Sequence, residues 1–182
     1  MKAHLIIQRL QHSLAAKIIS VASCLLILVC ELHSQQVEPN MAAVLTLKVS
    51  AMEKQLSESG NGLTIYVADA PEIAKELRKI IGTTIGKSSL VSVQEGSGIP
   101  SSVPDIIFIG SSSNAAKLIR YSRQNHVLTI SNNQDVFDAG ASILLGKDET
   151  TGKNYISLNI TSSKEEGLEW KPALLKIARS TR

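Results

Sequence analysis

The sequence predicts an α/β domain with a doubly wound, mostly parallel sheet, flanked by helices and carrying an antiparallel edge hairpin near the C-terminus. The first observation behind this is the apolar run Ile106–Ile109, which Pro104 introduces and Gly110 closes. A continuous apolar run of this length is typical of a strand that is covered on both faces. The second is the order of strand, turn, helix and strand across residues 103–131, which indicates one βαβ unit with a right-handed crossover.

Composition bounds the class of protein. The chain has 182 residues, of which 43% are hydrophobic and only 3% aromatic, so we expect one domain with an aliphatic core. The formal charge is +3, but Lys2, Arg9, Lys17 and Glu31 all precede residue 35, which leaves 16 basic and 15 acidic residues beyond them. With basic and acidic residues in nearly equal number, we expect no strongly basic surface of the kind that nucleic-acid binding requires.

Residues 1–34 have the order of a secretory signal peptide. A basic stretch up to Lys17 precedes the apolar run Ile18–Val29, and the small residue Ser34 marks a cleavage point. An uncleaved membrane anchor is the alternative, although a dozen apolar residues fall short of the roughly 20 that span a bilayer. We therefore predict a leader over 1–34, a single domain over 35–182, and a periplasmic product that is membrane-anchored if the leader is retained.

Both cysteines, Cys24 and Cys30, lie in this leader. The segment Val21–Cys24 imitates a lipoprotein cleavage box, but five apolar residues would remain beyond it, which disfavours lipidation. A cleaved product has no thiol, which excludes disulfides, a cysteine nucleophile and cysteine metal ligands from the domain.

Local patterns predict the elements of the first half. Helical spacing of apolar residues predicts a helix from Met41, after Pro39 and Asn40, to Ser57. A strand over Leu63–Ala68 follows. The next helix begins at Pro71 and ends at Gly82, and its buried side is formed by Ile73, Leu77, Ile80 and Ile81. A half-buried strand over Ser88–Glu95 follows, and then a surface loop over Gly96–Ser102.

The second half contains the central unit and the hairpin. In the central helix we expect one buried face, formed by Ala115, Leu118, Ile119 and Ser122, before a strand over Val127–Ile130. Val136 and Phe137 should tuck under the sheet. Strands over Ala141–Leu145 and Tyr155–Ile160 should pair as the hairpin. A capping box from Thr161 or Ser162 to Glu165 should start a short helical turn. The last helix should begin at Pro172 and carry the apolar residues Leu174, Leu175 and Ala178.

Two loops form the candidate ligand site. In an open parallel sheet, ligands bind beyond the carboxyl ends of the strands where the strand order reverses, which places a site between the strands Leu63–Ala68 and Ile106–Ile109. Hydroxyls, backbone amides and a positive helix end there suit an anion or a small polar molecule. The same residues serve equally to turn the chain and cap the helix. The candidate residues are Asp69, Gly110, Ser111, Ser112, Ser113 and Asn114.

We find no pattern for catalysis, a metal or a cofactor. The chain lacks the glycine fingerprints of dinucleotide and triphosphate sites. A triad of Ser111, His126 and Asp135 can be written down, but the serine is in no nucleophile elbow, and His126 should be a packed or hydrogen-bonded residue at a strand entrance. Asp69, Asp105 and Asp135 are separate turn or cap acids. We therefore expect no enzymatic activity.

Trp170, the single tryptophan, lies with Leu168 in the loop before the last helix. It is either a structural plug or an anchor of a protein interface, because tryptophan is favoured at both kinds of position.

The ordered combination of these pieces resembles the YfiR-like family of small exported bacterial proteins. The resemblance covers roughly Leu63 to Arg179 and rests on DIIFIG at 105–110, HVLTIS at 126–131 with Phe137, ASILLG at 141–146, YISLNI at 155–160 with Asn159, and GLEWKPALLKIAR at 167–179.

The resemblance implies a periplasmic α/β domain, often a homodimer, that restrains a membrane-bound diguanylate cyclase and so regulates cyclic di-GMP signalling. A membrane sensor kinase is the other partner that we consider. This chain departs from the redox-controlled members, because its mature part lacks their cysteines and its first helix lacks their aromatic and Trp-Pro sequence. A small-ligand sensor or a transport-associated binding domain that uses the cleft at Ser111 is the alternative.

Overall fold

The computed structural model describes residues 36–111 and 113–179. The predicted leader, with Cys24 and Cys30, and Ser112 lie outside the described residues. The strands are β1 (Gly62–Ala68), β2 (Thr84–Ile85), β3 (Ser88–Gly96), β4 (Ile106–Ile109), β5 (Leu128–Ser131), β6 (Ile143–Lys147) and β7 (Asn154–Leu158). The helices are α1 (Pro39–Ser50), α2 (Lys54–Glu58), α3 (Pro71–Lys79), α4 (Ala115–Asn125), α5 (Gln134–Asp138), α6 (Ile160–Glu165) and α7 (Pro172–Ile177).

These strands form one sheet in the order β2-β3-β1-β4-β5-β6-β7. The five strands from β3 to β6 are parallel to their neighbours, and the short β2 and the last strand β7 are antiparallel. The predicted fold class is therefore confirmed, including the hairpin of β6 and β7 at the C-terminal edge. The order reverses between β1 and β4, as the sequence analysis expected.

The core lies on both faces of this sheet. On one face, α1, α3 and Leu174 of α7 pack on alternate residues of the central strands, such as Ile65, Ile106 and Leu128. On the other face, α4 and α5 pack on residues such as Ile107. All four residues of β4 are fully buried, because helices cover this strand on both sides.

The central βαβ unit agrees with its prediction. Ala115, Leu118, Ile119 and Ser122 are the buried residues of α4, and Val136 and Phe137 are buried in α5. His126 differs from the prediction, because it is exposed and ends α4 in the left-handed conformation, with φ of 55°. Because of this turn, β5 begins at Leu128, one residue later than the predicted start at Val127.

The predicted helix from Met41 to Ser57 is wrong, because the chain forms two helices with an extended residue, Glu53, between them. Backbone groups at the break bind a distant segment instead of continuing the helix. The N–H of Lys54 donates to the carbonyl of Glu169 at 2.9 Å, and the N–H of Lys171 donates to the carbonyl of Met52 at 2.8 Å. A tertiary contact has overridden the local helical pattern.

Smaller differences concern the ends of elements. Ile81 is 47% exposed rather than buried, because α3 ends at Lys79 and the chain turns away at Gly82. The cap of α6 is Asn159, whose side chain accepts from the N–H of Ser162, rather than Thr161 or Ser162.

Pro172 begins α7 as predicted, but only Leu174 of its apolar residues is fully buried, while Leu175 is 51% exposed. None of the described helices is long and apolar enough to cross a membrane.

Candidate functional site

The predicted ligand residues gather at the carboxyl ends of β1 and β4, which are adjacent parallel strands. Asp69 follows β1, and Gly110 with Ser111 follows β4. Asp69 is exposed and has a positive φ of 53°, a conformation that Asp tolerates better than most residues. Ser111 and Ser113 are also exposed, so hydroxyls and one carboxylate face solvent at this edge.

Gly110 lets these two loops approach each other. A Cβ at this position would collide with the backbone carbonyl of Asp69 and lie 2.9 Å from the Cβ of Ala70. The N–H of Gly110 also donates to the carbonyl of Ala68 at 2.8 Å. The glycine is therefore required by close packing of the two loops, which is a structural reason for its presence.

The loop after β3 closes one side of the same edge. The phenol of Tyr66 donates to the carbonyl of Gly98 at 2.8 Å, and the side-chain amide of Asn114 donates to the carbonyl of Ser97 at 3.0 Å. Burial raises the pKa of Tyr66, and the nearby Asp69 carboxylate adds to that rise. Asn114 thus fastens a loop, and its side chain makes no cap hydrogen bond to α4.

The hypothetical catalytic triad of Ser111, His126 and Asp135 is not assembled. Ser111 follows the carboxyl end of β4, while His126 precedes the amino end of the parallel neighbour β5, so the two residues lie at opposite ends of the sheet. Asp105, which is not part of that triad, has a structural role, since its carboxylate accepts from the N–H and the hydroxyl of Thr64 at 2.7 and 2.9 Å. Within residues 36–111 and 113–179, His, Cys, Asp and Glu side chains form no group of three that could hold a metal ion.

The second candidate pair, Leu168 and Trp170, lies at the other end of the sheet. Both side chains are partly buried and pack against the larger core cluster. Trp170 forms an isolated antiparallel bridge with Glu53. Its indole N–H is buried and has no hydrogen-bond partner among the residues that the structure describes. Trp170 therefore contributes to packing while part of its ring surface stays accessible.

Glu53, next to Trp170, is a fully buried carboxylate that the sequence analysis did not single out. One oxygen accepts from the N–H of Leu56 at 2.7 Å and so caps α2. The other accepts from the N–H of Glu169 at 2.9 Å. This side chain fixes the loop of Leu168 and Trp170 against the end of α1.

A second fully buried carboxylate, Glu166, was also missed. Its oxygens contact three hydroxyls, those of Ser122 at 3.0 Å and of Thr129 and Ser142 at 2.5 Å each, and the N–H of Thr129 at 3.2 Å. Burial raises the pKa of Glu166, and these hydrogen bonds only partly oppose the rise. The cluster joins α4, β5, the residue before β6 and the turn after α6.

A signal for this cluster was present in the sequence. The pattern already placed Ser122 on the buried face of α4 and Thr129 within a buried strand. A buried hydroxyl needs a partner, so two of them on adjacent elements indicate a polar group between them. The identity of that group could not be derived, because Glu166 is distant along the chain.

The model of a protein family described as YfiR/HmsC-like matches residues 51–179. A crystal structure described as a conserved domain protein from Vibrio cholerae O1 biovar El Tor strain N16961 is similar to this chain, with a TM-score of 0.52 and 15% sequence identity. The match covers 79% of this chain and 60% of that chain, so this chain spans less than two thirds of the solved one. No curated protein matches at a significant level.

Proposed function

Because the chain belongs to the YfiR/HmsC-like family, a family of periplasmic regulators of diguanylate cyclases, we propose that it acts as a non-enzymatic binding protein in such a system. Its partner in this proposal is a membrane protein, a diguanylate cyclase or a related sensor kinase, which it restrains by contact. Cyclic di-GMP output would then follow the occupancy of that contact.

The surface proposed for the contact belongs to the C-terminal segment that contains Trp170 and α7. The partly exposed ring is followed in the chain by Leu175 and Ile177 of α7, which are 51% and 52% exposed. Exposed apolar side chains near an aromatic residue are typical of the centre of a protein interface. A homodimer could use the same surface. It would then either compete with the membrane partner for this surface or offer the partner one copy of it on each protomer.

Capture from membranes tests this proposal. Leu175→Asp and Ile177→Asp place charges on the exposed side of α7, so we expect the folded variants to lose partner capture by at least tenfold. Val103→Asp is the matched control, because Val103 is 57% exposed in the loop before β4. Equal capture by all three variants would exclude this surface.

Trp170→Ala separates the two roles of this residue. An interface anchor predicts a stable variant whose capture or dimerisation weakens by about 2 kcal/mol or more. A plug predicts a loss of about 3 to 5 kcal/mol in the free energy of unfolding. Chemical denaturation and sedimentation of the same variant decide between them, and a stable variant with unaltered assembly and capture contradicts both.

Export of the domain is the second part of the proposal. Mass spectrometry of the periplasmic fraction should find a chain that starts near Gln35, and an intact Met1 in membranes would contradict cleavage. Since both thiols leave with the leader, the melting temperature of the exported form should not depend on dithiothreitol.

Binding of a small polar ligand at the edge of Asp69 and Ser111 is the second candidate function. It is supported by the two exposed loops that meet at the point where the strand order reverses. Asp69→Ala and Ser111→Ala should then abolish ligand-induced changes in the melting temperature in a metabolite screen. A screen without any shift for the unmodified protein would remove this candidate.

A further inference from the structure

Glu166 belongs to the turn that connects α6 with the segment of Trp170. The turn is tight, since Gly167 has φ of 73° and the N–H of Leu168 donates to the carbonyl of Ser163 at 2.9 Å. The Glu166 side chain is the polar link from this turn to α4, β5 and the start of β6. Its protonation state therefore bears on how firmly the turn is held.

The two short contacts of the Ser122 hydroxyl each contain a hydrogen of their own only when the carboxyl group of Glu166 carries a proton. Ser122 has one hydroxyl hydrogen but two acceptors in reach, the carbonyl of Ile119 at 2.7 Å and Oε1 of Glu166 at 3.0 Å. With an ionised carboxylate, one of these two contacts has no hydrogen. With a proton on Oε1, Glu166 donates to the Ser122 oxygen, and Ser122 donates to Ile119.

The remaining contacts are compatible with that proton. The hydroxyl of Thr129 accepts from the N–H of Ser142 at 2.9 Å, so its own hydrogen is directed to Glu166. The hydroxyl of Ser142 and the N–H of Thr129 both donate to Oε2. Every donor and acceptor in the cluster then has a partner, as buried polar groups require.

Charged groups around the cluster do not favour the ionised form. From α4, the guanidinium of Arg123 is paired at 2.9 Å with the Glu165 carboxylate of α6. His126, at the end of α4, is exposed, and its imidazole lies beside Gly167. The strand β5 and the residue before β6 contribute only the hydroxyls and N–H groups already described. In the part of the chain that the structure describes, no basic side chain forms an ion pair with Glu166 within 4 Å.

We propose that Glu166 is held as a neutral carboxylic acid that donates to Ser122, and that loss of this proton as the pH rises loosens the turn carrying Trp170. The domain thereby contains a pH-sensitive latch between its C-terminal segment and its sheet. The latch is a property of the fold and does not depend on the partner proposed above.

The sign of the effect follows from proton linkage. A group whose folded-state pKa lies above its unfolded value stabilises the fold fully below that unfolded value, here about 4.5, and loses this effect as the pH rises through the folded pKa. In this window the unfolding equilibrium constant should rise by up to about tenfold per pH unit, which is the slope for one proton.

Urea unfolding of the full-length chain between pH 5 and 9 tests the latch. Glu166→Gln should remove the slope, because a glutamine amide has no proton to lose in this pH range. Two controls should keep it: Glu53→Gln, which changes another buried carboxylate, and His126→Asn, which removes the nearby imidazole but tolerates the left-handed conformation. A slope that survives in Glu166→Gln, or disappears in His126→Asn, overturns the proposal.

Two spectroscopic measurements on the unmodified protein keep the test decisive if Glu166→Gln fails to fold. The fluorescence of Trp170, the single tryptophan, should change with pH while the circular dichroism of the domain persists. Difference infrared spectra should show a protonated carboxyl band that disappears in the same pH range. A carboxylate at pH 5 to 6 with no protonated band would refute the neutral acid.

Discussion

The carboxylate of Glu53 accepts a hydrogen bond from the N–H of Glu169, 116 positions further along the chain, at 2.9 Å. The same side chain caps α2 through the N–H of Leu56. Glu53→Ala should therefore cost about 3 kcal/mol of unfolding free energy, because it removes a helix cap and leaves a second N–H without its charged acceptor.

Gln55→Ala is the matched control for this change. It alters an exposed residue in the first turn of the same helix, and its effect should stay within about 0.5 kcal/mol. Urea denaturation measures both variants. Equal stabilities would mean that Glu53 does not join the two segments.

Gly110→Ala should destabilise the domain by about 1 to 3 kcal/mol, because the added Cβ meets the Asp69 carbonyl and the backbone must shift. Gly98→Ala is the control in a nearby loop, where a Cβ has no atom within 4 Å. The control should be neutral or slightly stabilising. If thermal melting ranks the two variants in the opposite order, the loops at this edge do not pack as described.

Ile107→Asp should unfold the domain. Ile107 is fully buried in the central strand, and burial of an unpaired charge exceeds what a stability of about 5 to 15 kcal/mol can absorb. Val103→Asp, at a 57% exposed position, should leave the far-ultraviolet circular dichroism unchanged. A folded, cooperative Ile107→Asp variant would be incompatible with a helix on each side of β4.

Arg179→Ala should reduce stability at neutral pH and matter less in acid. Hydrogen bonds from Arg179, at 2.7 Å, and from Thr151 hold the pKa of Asp148 well below its usual value of 3.8. Such a carboxylate stabilises the fold above that value, and the effect is lost as the pH falls through the lowered pKa.

The gap between wild type and Arg179→Ala in urea denaturation should accordingly narrow below about pH 3.8. Part of this difference in unfolding free energy should persist in acid, because the Arg179 guanidinium also lies 4.7 Å from the centroid of the Tyr155 ring. Lys176→Ala, an exposed change in α7, serves as control, and a gap of constant size over this range would contradict the linkage to Asp148.

The parts of the fold that could be predicted from sequence are those governed by local patterns. The apolar run Ile106–Ile109 and the four residues of the buried face of α4 required only the periodicity of strand and helix. The short β2 was missed because two residues carry no periodic signal, and the break at Glu53 was missed because the groups that cause it lie near Glu169.

The same reasoning explains what could be predicted of the sites. Asp69 and Gly110 were placed together because strand order determines which loops meet at the edge of a parallel sheet. Glu166 could not be assigned as a buried carboxylate, since the three hydroxyls around it come from separate elements. Burial of a single charged residue is decided by tertiary packing, which no local pattern reports.

The contacts of Met52 and Lys54 with residues 169–171 also have a consequence for the order of folding. They close a loop that contains all seven strands, so the entropy of closure opposes them until the sheet has formed. A nascent chain that ends after β7 has its complete set of strands but lacks the segment that fixes α1 to α2. We therefore expect the domain to complete folding only when residues 169–171 are present, and the slowest folding phase to be the one that buries Trp170.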